Sequence, residues 1–459
     1  MSVNADQPLE TWIQLETKVS IDRMMKNISP AGALPGTVIA SPSNNSPNYY
    51  FHWIRDASLT IDQVVTLLKN SRLSEQAIYA KRIEEFIHLS TFQQQNPGAE
   101  GLGEPRYLVD GTADTIPWSR PQFDGPALRA LTLMRFMQEI NPEKNLREET
   151  RIIIRHDLQY VILHWNRPCF DLWEELKGLH FYTQAVQLSA LKMGIVFFNE
   201  PGDKNFSNDL QLAANSLTLE LLKNWNKEQN FIGASRELTG LPYANYKASN
   251  LDSAVILAFL HSHAFEKIQT ADSSNISRDQ YISTARALES VFKDIYSINS
   301  LNSAPAIGRF SDDVYDGGNP WYMTTSAFAE FYFRIALDIK NSNEIQVNEL
   351  NYAFLQNSLF SAKQNGPDLI LKWGDVILIN SVSGQKLVSS LQRRGDDFLE
   401  TLRKYTGSQG EMSEQFDRRA GVPASARDLT WSYAGFLSAV QARTVFLNSG
   451  RSFQPTHSF

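Results

Sequence analysis

Four stretches repeat apolar residues at i, i+3, i+4 and i+7: Ile61, Val64, Val65 and Leu68; Leu133, Phe136, Met137 and Ile140; Phe328, Phe331, Tyr332 and Ile335; Tyr433, Phe436, Leu437 and Val440. That spacing draws one apolar stripe along a helix of 3.6 residues per turn. Residues 181–198 (FYTQAVQLSALKMGIVFF) and Ser253 to Leu260 are apolar on nearly every face, which predicts helices buried on both sides. Doubly buried helices in a helical protein require two layers. Alternating strand patterns are few, and residues 368–379 (DLILKWGDVILI) are the main candidate for a hairpin. The pattern therefore predicts an all-α fold.

Long loops rich in glycine, proline and aromatic residues separate the helices, at 41–53, 101–126 and 308–321. Loops of that length in a compact protein usually carry function. No Ser/Thr/Pro-rich linker divides the chain, so a single domain over residues 1–459 is expected, with tails at about 1–10 and 450–459.

The formal net charge is −7 and no basic block appears, which leaves a nucleic acid or an anionic membrane no electrostatic footing and favours a neutral ligand. Cys169 is the sole cysteine, so no disulfide can form within the chain. The N-terminus has no charged-then-apolar leader and no stretch is apolar enough to span a bilayer, which favours an intracellular location unless a leader has been removed. His261 and His263 stand two apart without an HExxH motif, and no glycine-rich phosphate loop follows a strand pattern. The histidine pair reads as lining a helix end, and neither a metal nor an organic cofactor is expected.

Five segments mix Trp or Tyr with Arg, Asp or Glu just before a helix: YYFHWIRD (49–56), WSRPQFD (118–124), DLWEE (171–175), residues 309–321, and SEQFDRRAGVPASARDLTW (413–431). Aromatic faces stack on the apolar faces of sugar rings, while carboxylates and guanidinium groups bond hydroxyls. Each segment has a plainer reading. Asp and Glu favour first helical turns, Arg55 beside Asp56 is an ordinary helix-start ion pair, and a lone Trp118 or Trp431 is more often core. Their co-occurrence shifts the balance toward a carbohydrate site.

The same segments carry a family resemblance. PGTVIASPS with YYFHWIRDASLTI, GLGEPRYLVDGT, WSRPQFDGPALRA, FDLWEELKGLHFYTQAVQLSAL, GRFSDDVYDGGNPWYMTT, and EMSEQFDRRAG with ARDLTWSYAGFLSA follow one another in the order found in fungal and yeast glucoamylases, so the chain from about Pro35 to Val440 resembles glycoside hydrolase family fifteen. The resemblance implies an (α/α)6 barrel, a toroid of six inner and six outer helices with the active site in a funnel of loops. It implies general acid Glu174 and general base Glu414, a terminal-glucose clamp of Arg55, Asp56 and Arg309 with the backbone beside Leu172, and Glu175 for the next sugar. Tyr49, Trp53, Trp118, Trp173, Tyr315 and Trp431 would wall the pocket, Gln415 would sit beside the base, and Asp171 joins the substrate-binding set. The implied partner is an α-glucan or maltooligosaccharide, met by a monomer.

Hydrolysis of an acetal with inversion needs a proton on the leaving oxygen and an activated water on the opposite face of the ring, with the two carboxyls roughly 6.5–9.5 Å apart. The expectation is a raised pKa for Glu174 in its aromatic setting, a Glu414 charged at mildly acidic pH, and a rate bell on the acid side of neutrality. Lys177, Phe310, Ser311, Asp312, His52 and Ile54 depart from the usual family pattern. They bear on subsite preference and on α-1,6 cleavage, which is expected to be slower. Soluble dextrins or glycogen are the expected substrates. The competing readings are another exo-glucosidase of the same fold, such as a trehalase or glucodextranase, and a non-catalytic glucan-binding regulatory domain. The presence of both glutamates argues against the last.

Overall fold

A computed structural model describes residues 7–240, 246–263, 276–360 and 369–449. Among them are thirteen α-helices: α1 (Leu9–Lys26), α2 (Ile54–Asn70), α3 (Leu73–Gln95), α4 (Asp124–Ile140), α5 (Lys144–His164), α6 (Phe181–Phe197), α7 (Lys204–Leu222), α8 (Ala254–His261), α9 (Arg278–Ile295), α10 (Tyr322–Asn341), α11 (Tyr352–Leu359), α12 (Val382–Tyr405) and α13 (Thr430–Asn448). Strands are two to five residues long and only tie loops together.

Helices α2, α4, α6, α8, α10 and α13 pack each against the next, and α13 returns to α2, so six helices close a ring. The other long helices lie outside it: α1 on α13, α3 on α2, α5 on α4, α7 on α6, α9 on α8 and α12 on α10. This is the expected (α/α)6 architecture. All six helices that the apolar pattern marked are inner ones, because an inner helix must bury its flanks as well as its outward face. In α8 the first seven residues, Ala254 to Leu260, are all buried. The ring closes between the two ends of the chain. Asn27 donates to the Asp428 carbonyl (3.0 Å) and to Thr430 (2.8 Å), Ser41 donates to the Arg427 carbonyl (2.5 Å), and the Thr430 amide donates to the Ala40 carbonyl (2.8 Å).

None of the six inner helices has a side-chain N-cap, whereas Ser277 and Ser381 cap the outer helices α9 and α12. Loop carbonyls take over that duty at the inner N-termini. The amide of Ile54 donates to Pro105 (3.1 Å), that of Phe181 to Ala234 (2.8 Å), that of Ser253 to Arg309 (2.9 Å) and that of Tyr322 to Glu414 (3.4 Å). Orphan N–H groups at helix starts must find acceptors, and here those acceptors anchor the segments that carry the candidate site.

One expectation is corrected. Residues 368–379 do not fold back on themselves. Residue 368 lies outside the described residues, and Val376–Leu378 pairs with Glu344–Gln346, burying Ile377 while Val376 and Leu378 face out. Near the N-terminus, α1 starts at Leu9 and buries Trp12 against Phe436. The tail at 450–459 lies outside the described residues. No helix among the described residues is long and apolar enough to cross a membrane.

Candidate active site

The five aromatic and charged segments meet at one end of the ring, at the N-termini of the inner helices. Glu174 sits in a tight turn that its sequence builds. Asp171 Oδ1 accepts from the amides of Glu175 (2.7 Å) and Leu176 (3.0 Å), its carbonyl accepts from the Glu174 amide (2.9 Å), and Glu174 itself has φ +65°. A non-glycine residue in the left-handed region is uncommon and marks a place where the surroundings dictate the backbone. The Glu174 carboxyl then collects N–H donors: Trp53 Nε1 and Gln122 Nε2 on Oε1, Trp118 Nε1 on Oε2, all at 2.8 Å, with an Arg55 nitrogen 3.5 Å away. Trp118 is 38 % exposed, as a wall at the mouth of a pocket would be.

Arg55 is buried and multiply held, donating to Gln122 (2.8 Å) and Asp124 (2.9 Å), 3.6 Å from Asp56 and 5.9 Å from the Trp431 ring centre. Burial pushes the Asp56 carboxyl up to about 6, against the pull of Arg55. Across the site, Ser425 Oγ donates to Glu414 Oε2 at 2.5 Å, Gln415 Nε2 lies 3.4 Å from the same oxygen, and the Tyr49 hydroxyl bonds Glu414 while standing 2.6 Å from the Tyr315 hydroxyl. Tyr49 also packs edge-on against Trp53, the residue that holds Glu174. Burial raises the Tyr49 hydroxyl well above its ordinary range, and Glu414, Tyr315 and Glu174 add to the rise. Both glutamates thus act on one tyrosine.

The expected charge state of Glu414 is not met. Burial pushes its carboxyl up to about 7, despite Ser425, Arg309 and Tyr49. It is fully enclosed, and hydroxyl donors plus a more distant guanidinium do not replace its lost hydration. Ser425 is the strongest of the groups that hold the value down. Ser425→Ala is therefore expected to move the acid limb of the kcat/KM profile, which reports the free base, to higher pH. An unmoved limb would show that Ser425 does not tune Glu414.

Arg309 is buried between the two sides. It donates to Asp313 (2.7 and 2.5 Å), pairs with Glu175 (2.8 Å) and lies among Trp173, Tyr315 and Trp321 at about 5 Å. Tyr246 donates to Glu175 at 2.6 Å. Two of the anticipated binding residues, Asp171 and Trp173, make contacts that build the scaffold. Asp171 is spent on the turn and on Lys247 Nζ (2.9 Å). Burial alone would raise its carboxyl, yet Lys247 and His180 hold it near 2. Trp173 donates its indole N–H to buried Asp252 (3.0 Å), and Leu172 is buried in the same turn. Gln122, Asp124, Tyr246, Lys247 and Ser425 were missed by sequence reasoning. Three of them lie inside quoted segments: Gln122 and Asp124 meet Arg55 or Glu174 across 52 to 69 residues, whereas Ser425 stands eleven residues from Glu414 in the same segment. Among the unusual residues, Phe310 lies under Lys247 Nζ (4.1 Å), Asp312 accepts from the Lys247 amide (2.9 Å) and His52 Nδ1 accepts from the Val38 amide (3.0 Å), so these support loops. Among the described residues no group of three or more His, Cys, Asp or Glu could hold a metal ion.

Residues 19–441 match the profile of glycosyl hydrolases family 15. The chain belongs to that family. It is 34 % identical to a glucoamylase of Blastobotrys adeninivorans over 94 % of this chain and 71 % of that protein, and 32 % identical to the intracellular sporulation-specific glucoamylase of Saccharomyces cerevisiae over 96 % and 85 %. The solved glucoamylase of Saccharomycopsis fibuligera superimposes with a TM-score of 0.87 at 30 % identity, covering 97 % of each chain. This family 15 chain is a hydrolase of the glucoamylase type, acting from the ends of α-glucans such as starch.

Proposed function

We propose that the chain is an inverting exo-glucosidase that releases β-glucose from non-reducing ends of α-1,4-glucans, with Glu174 as general acid and Glu414 as general base. Glu174 gives its proton to the glycosidic oxygen as the bond from that oxygen to C1 breaks. Glu414 takes a proton from a water whose oxygen bonds C1 from the opposite face, so the anomeric configuration inverts. The observation that supports a two-carboxyl site is that Tyr49 touches the surroundings of both glutamates: its hydroxyl bonds Glu414, and its ring packs on Trp53, which donates to Glu174. Which carboxyl gives the proton and which takes it is carried over from the family resemblance. Arg55, Asp56 and Arg309 clamp the terminal glucose, Glu175 bonds the next sugar, and Tyr49, Trp53, Trp118, Tyr315 and Trp431 wall the ring. Asp171 and Trp173 act as positioning residues for the acid turn. Every group comes from one chain and one closed ring, so a single catalytic domain working as a monomer suffices. The absence of a basic block fits a neutral polymer better than nucleic acid.

Incubation with maltoheptaose, trehalose and dextran, with the released anomer followed by proton NMR, tests this reading. β-Glucose from maltoheptaose, little from dextran and none from trehalose is expected. Initial α-glucose, or trehalose as the better substrate, would overturn it.

A further inference from the structure

The inner helices do not fill the ring they enclose. Behind the catalytic pocket a cavity of about 250 Å³ runs from Trp431, at the start of α13, to Val445 near its end, bordered also by α2, α4, α8 and α10. Its rim at Lys69 and Asn70 is exposed. The volume exceeds what one water needs and approaches the size of a small-ligand site.

Among the described residues, three acidic side chains (Asp62, Glu139, Glu330) and three basic ones (Lys69, Arg135, Arg334) line the cavity, so their formal charges balance. Arg135 pairs with Asp62 and with Glu139 (3.3 Å), Lys69 with Glu139 (3.5 Å), and Arg334 with Glu330 (3.0 Å). A lining of self-neutralised charges offers hydrogen bonds without a net field, which suits a neutral hydroxyl-rich guest rather than an ion. Leu128, Leu257 and Met323 supply an apolar face.

Gly435, in the body of α13, also lines the cavity. Glycine is disfavoured inside helices, its φ is not in the left-handed region, and an added Cβ would come no closer than 3.6 Å to any neighbour, the nearest being Met323. Neither backbone nor packing asks for glycine there. What it does is keep the lumen open. Beneath the pocket, Trp431 and His261 form the shared partition. Arg55 lies over the Trp431 ring, and Tyr182 and His261 Nδ1 are hydrogen-bonded at 2.9 Å.

We infer that the barrel lumen is a second binding site, separate from the catalytic pocket, for a neutral polyol the size of one sugar ring, and that glucose is the ligand the enzyme itself supplies. This rests on the proposed reading that glucose is the product. A sugar in the lumen bears on Trp431 from behind, so it lowers turnover without competing for the pocket.

Crystals of the wild-type enzyme soaked in glucose, together with glucose inhibition of aryl α-glucoside hydrolysis, test the inference. Expected are sugar density in the lumen and a noncompetitive component of inhibition whose constant rises at least ten-fold in Gly435→Leu, while the competitive component and kcat stay within two-fold. Gly435→Ala, which only adds a tolerated methyl, is expected to raise Tm. Water alone in the soaked lumen, or purely competitive inhibition of the wild type, would overturn the inference whether or not Gly435→Leu folds. Failure to hydrolyse the glucoside would instead count against the proposed function, and the soak would still report on the lumen.

Discussion

Replacing Glu414 with glutamine is expected to abolish most turnover and, at neutral pH, to make the protein more stable. On the proposed mechanism the first effect follows from losing the group that accepts the proton of the attacking water; general base catalysis contributes about 10²–10⁴-fold, and kcat should fall by that order while maltose still binds. The second follows from burial. The Glu414 carboxyl rises from an ordinary 4.5 to about 7 in the folded protein. Below pH 4.5 both folded and unfolded chains are protonated there and nothing is lost. Between 4.5 and 7 the unfolded chain ionises first, it binds fewer protons, and stability falls as pH rises. At 1.36 kcal/mol per pH unit the loss is about 3 kcal/mol above pH 7. Glutamine does not ionise, so the gap in unfolding free energy between variant and wild type should open by about that amount between pH 4 and 7.5, read from urea unfolding at the two values. A gap that does not change with pH would mean that Glu414 is not held in a desolvated niche.

Glu174→Gln is expected to lower kcat on maltose by about 10²–10⁴-fold as well, since the leaving sugar would depart unprotonated. The decisive contrast lies in the leaving group. A glucosyl donor that departs as a stable anion, such as glucosyl fluoride, needs no proton from the enzyme, so Glu174→Gln should hydrolyse it far closer to the wild-type rate than it hydrolyses maltose, whereas Glu414→Gln should fail on both. Equal losses on the two substrates would remove Glu174 from the acid role. Maltose binding should persist, because Arg55 keeps its contacts with Gln122 and Asp124 in the variant.

The fold was legible where burial imposes a pattern. Inner helices α6 and α8 announce themselves because both flanks are apolar, and α2, α4, α10 and α13 because one stripe is continuous. Outer helices such as α3 (LSEQAIYAKRIEEFIHLSTFQQQ) dilute their apolar residues with solvent-facing Lys, Glu and Gln, and the periodicity analysis singled out none of them. The hairpin expected at 368–379 failed for a different reason. The alternation of Val376, Ile377, Leu378 and Ile379 marks a strand correctly, but the partner is chosen by where α10 ends, some thirty residues upstream.

The family motifs marked segments, with Glu174 and Glu414 among them, that the fold brings to one end of the ring. The motifs could not tell a residue that faces substrate from one that shapes the loop. Asp171 and Trp173 look like ligands in sequence, yet they are bound to Lys247 and Asp252. Gln122 bridges Arg55 to Glu174 although 52 residues separate it from Glu174. The charge state of Glu414 depends on how completely the loops seal it, a property of assembly rather than of neighbouring residues in the chain.

The joint at which residues 27–41 meet residues 427–430 has a bearing on biosynthesis. Protein is made from its amino end, and domains fold as units once their parts are available. Here the stave that closes the ring is α13, and Glu414, the proposed base, stands sixteen residues before its start. A nascent chain still missing both would hold Glu174, the proposed acid, with nothing opposite it. On the proposed roles, activity would appear only once α13 had been made.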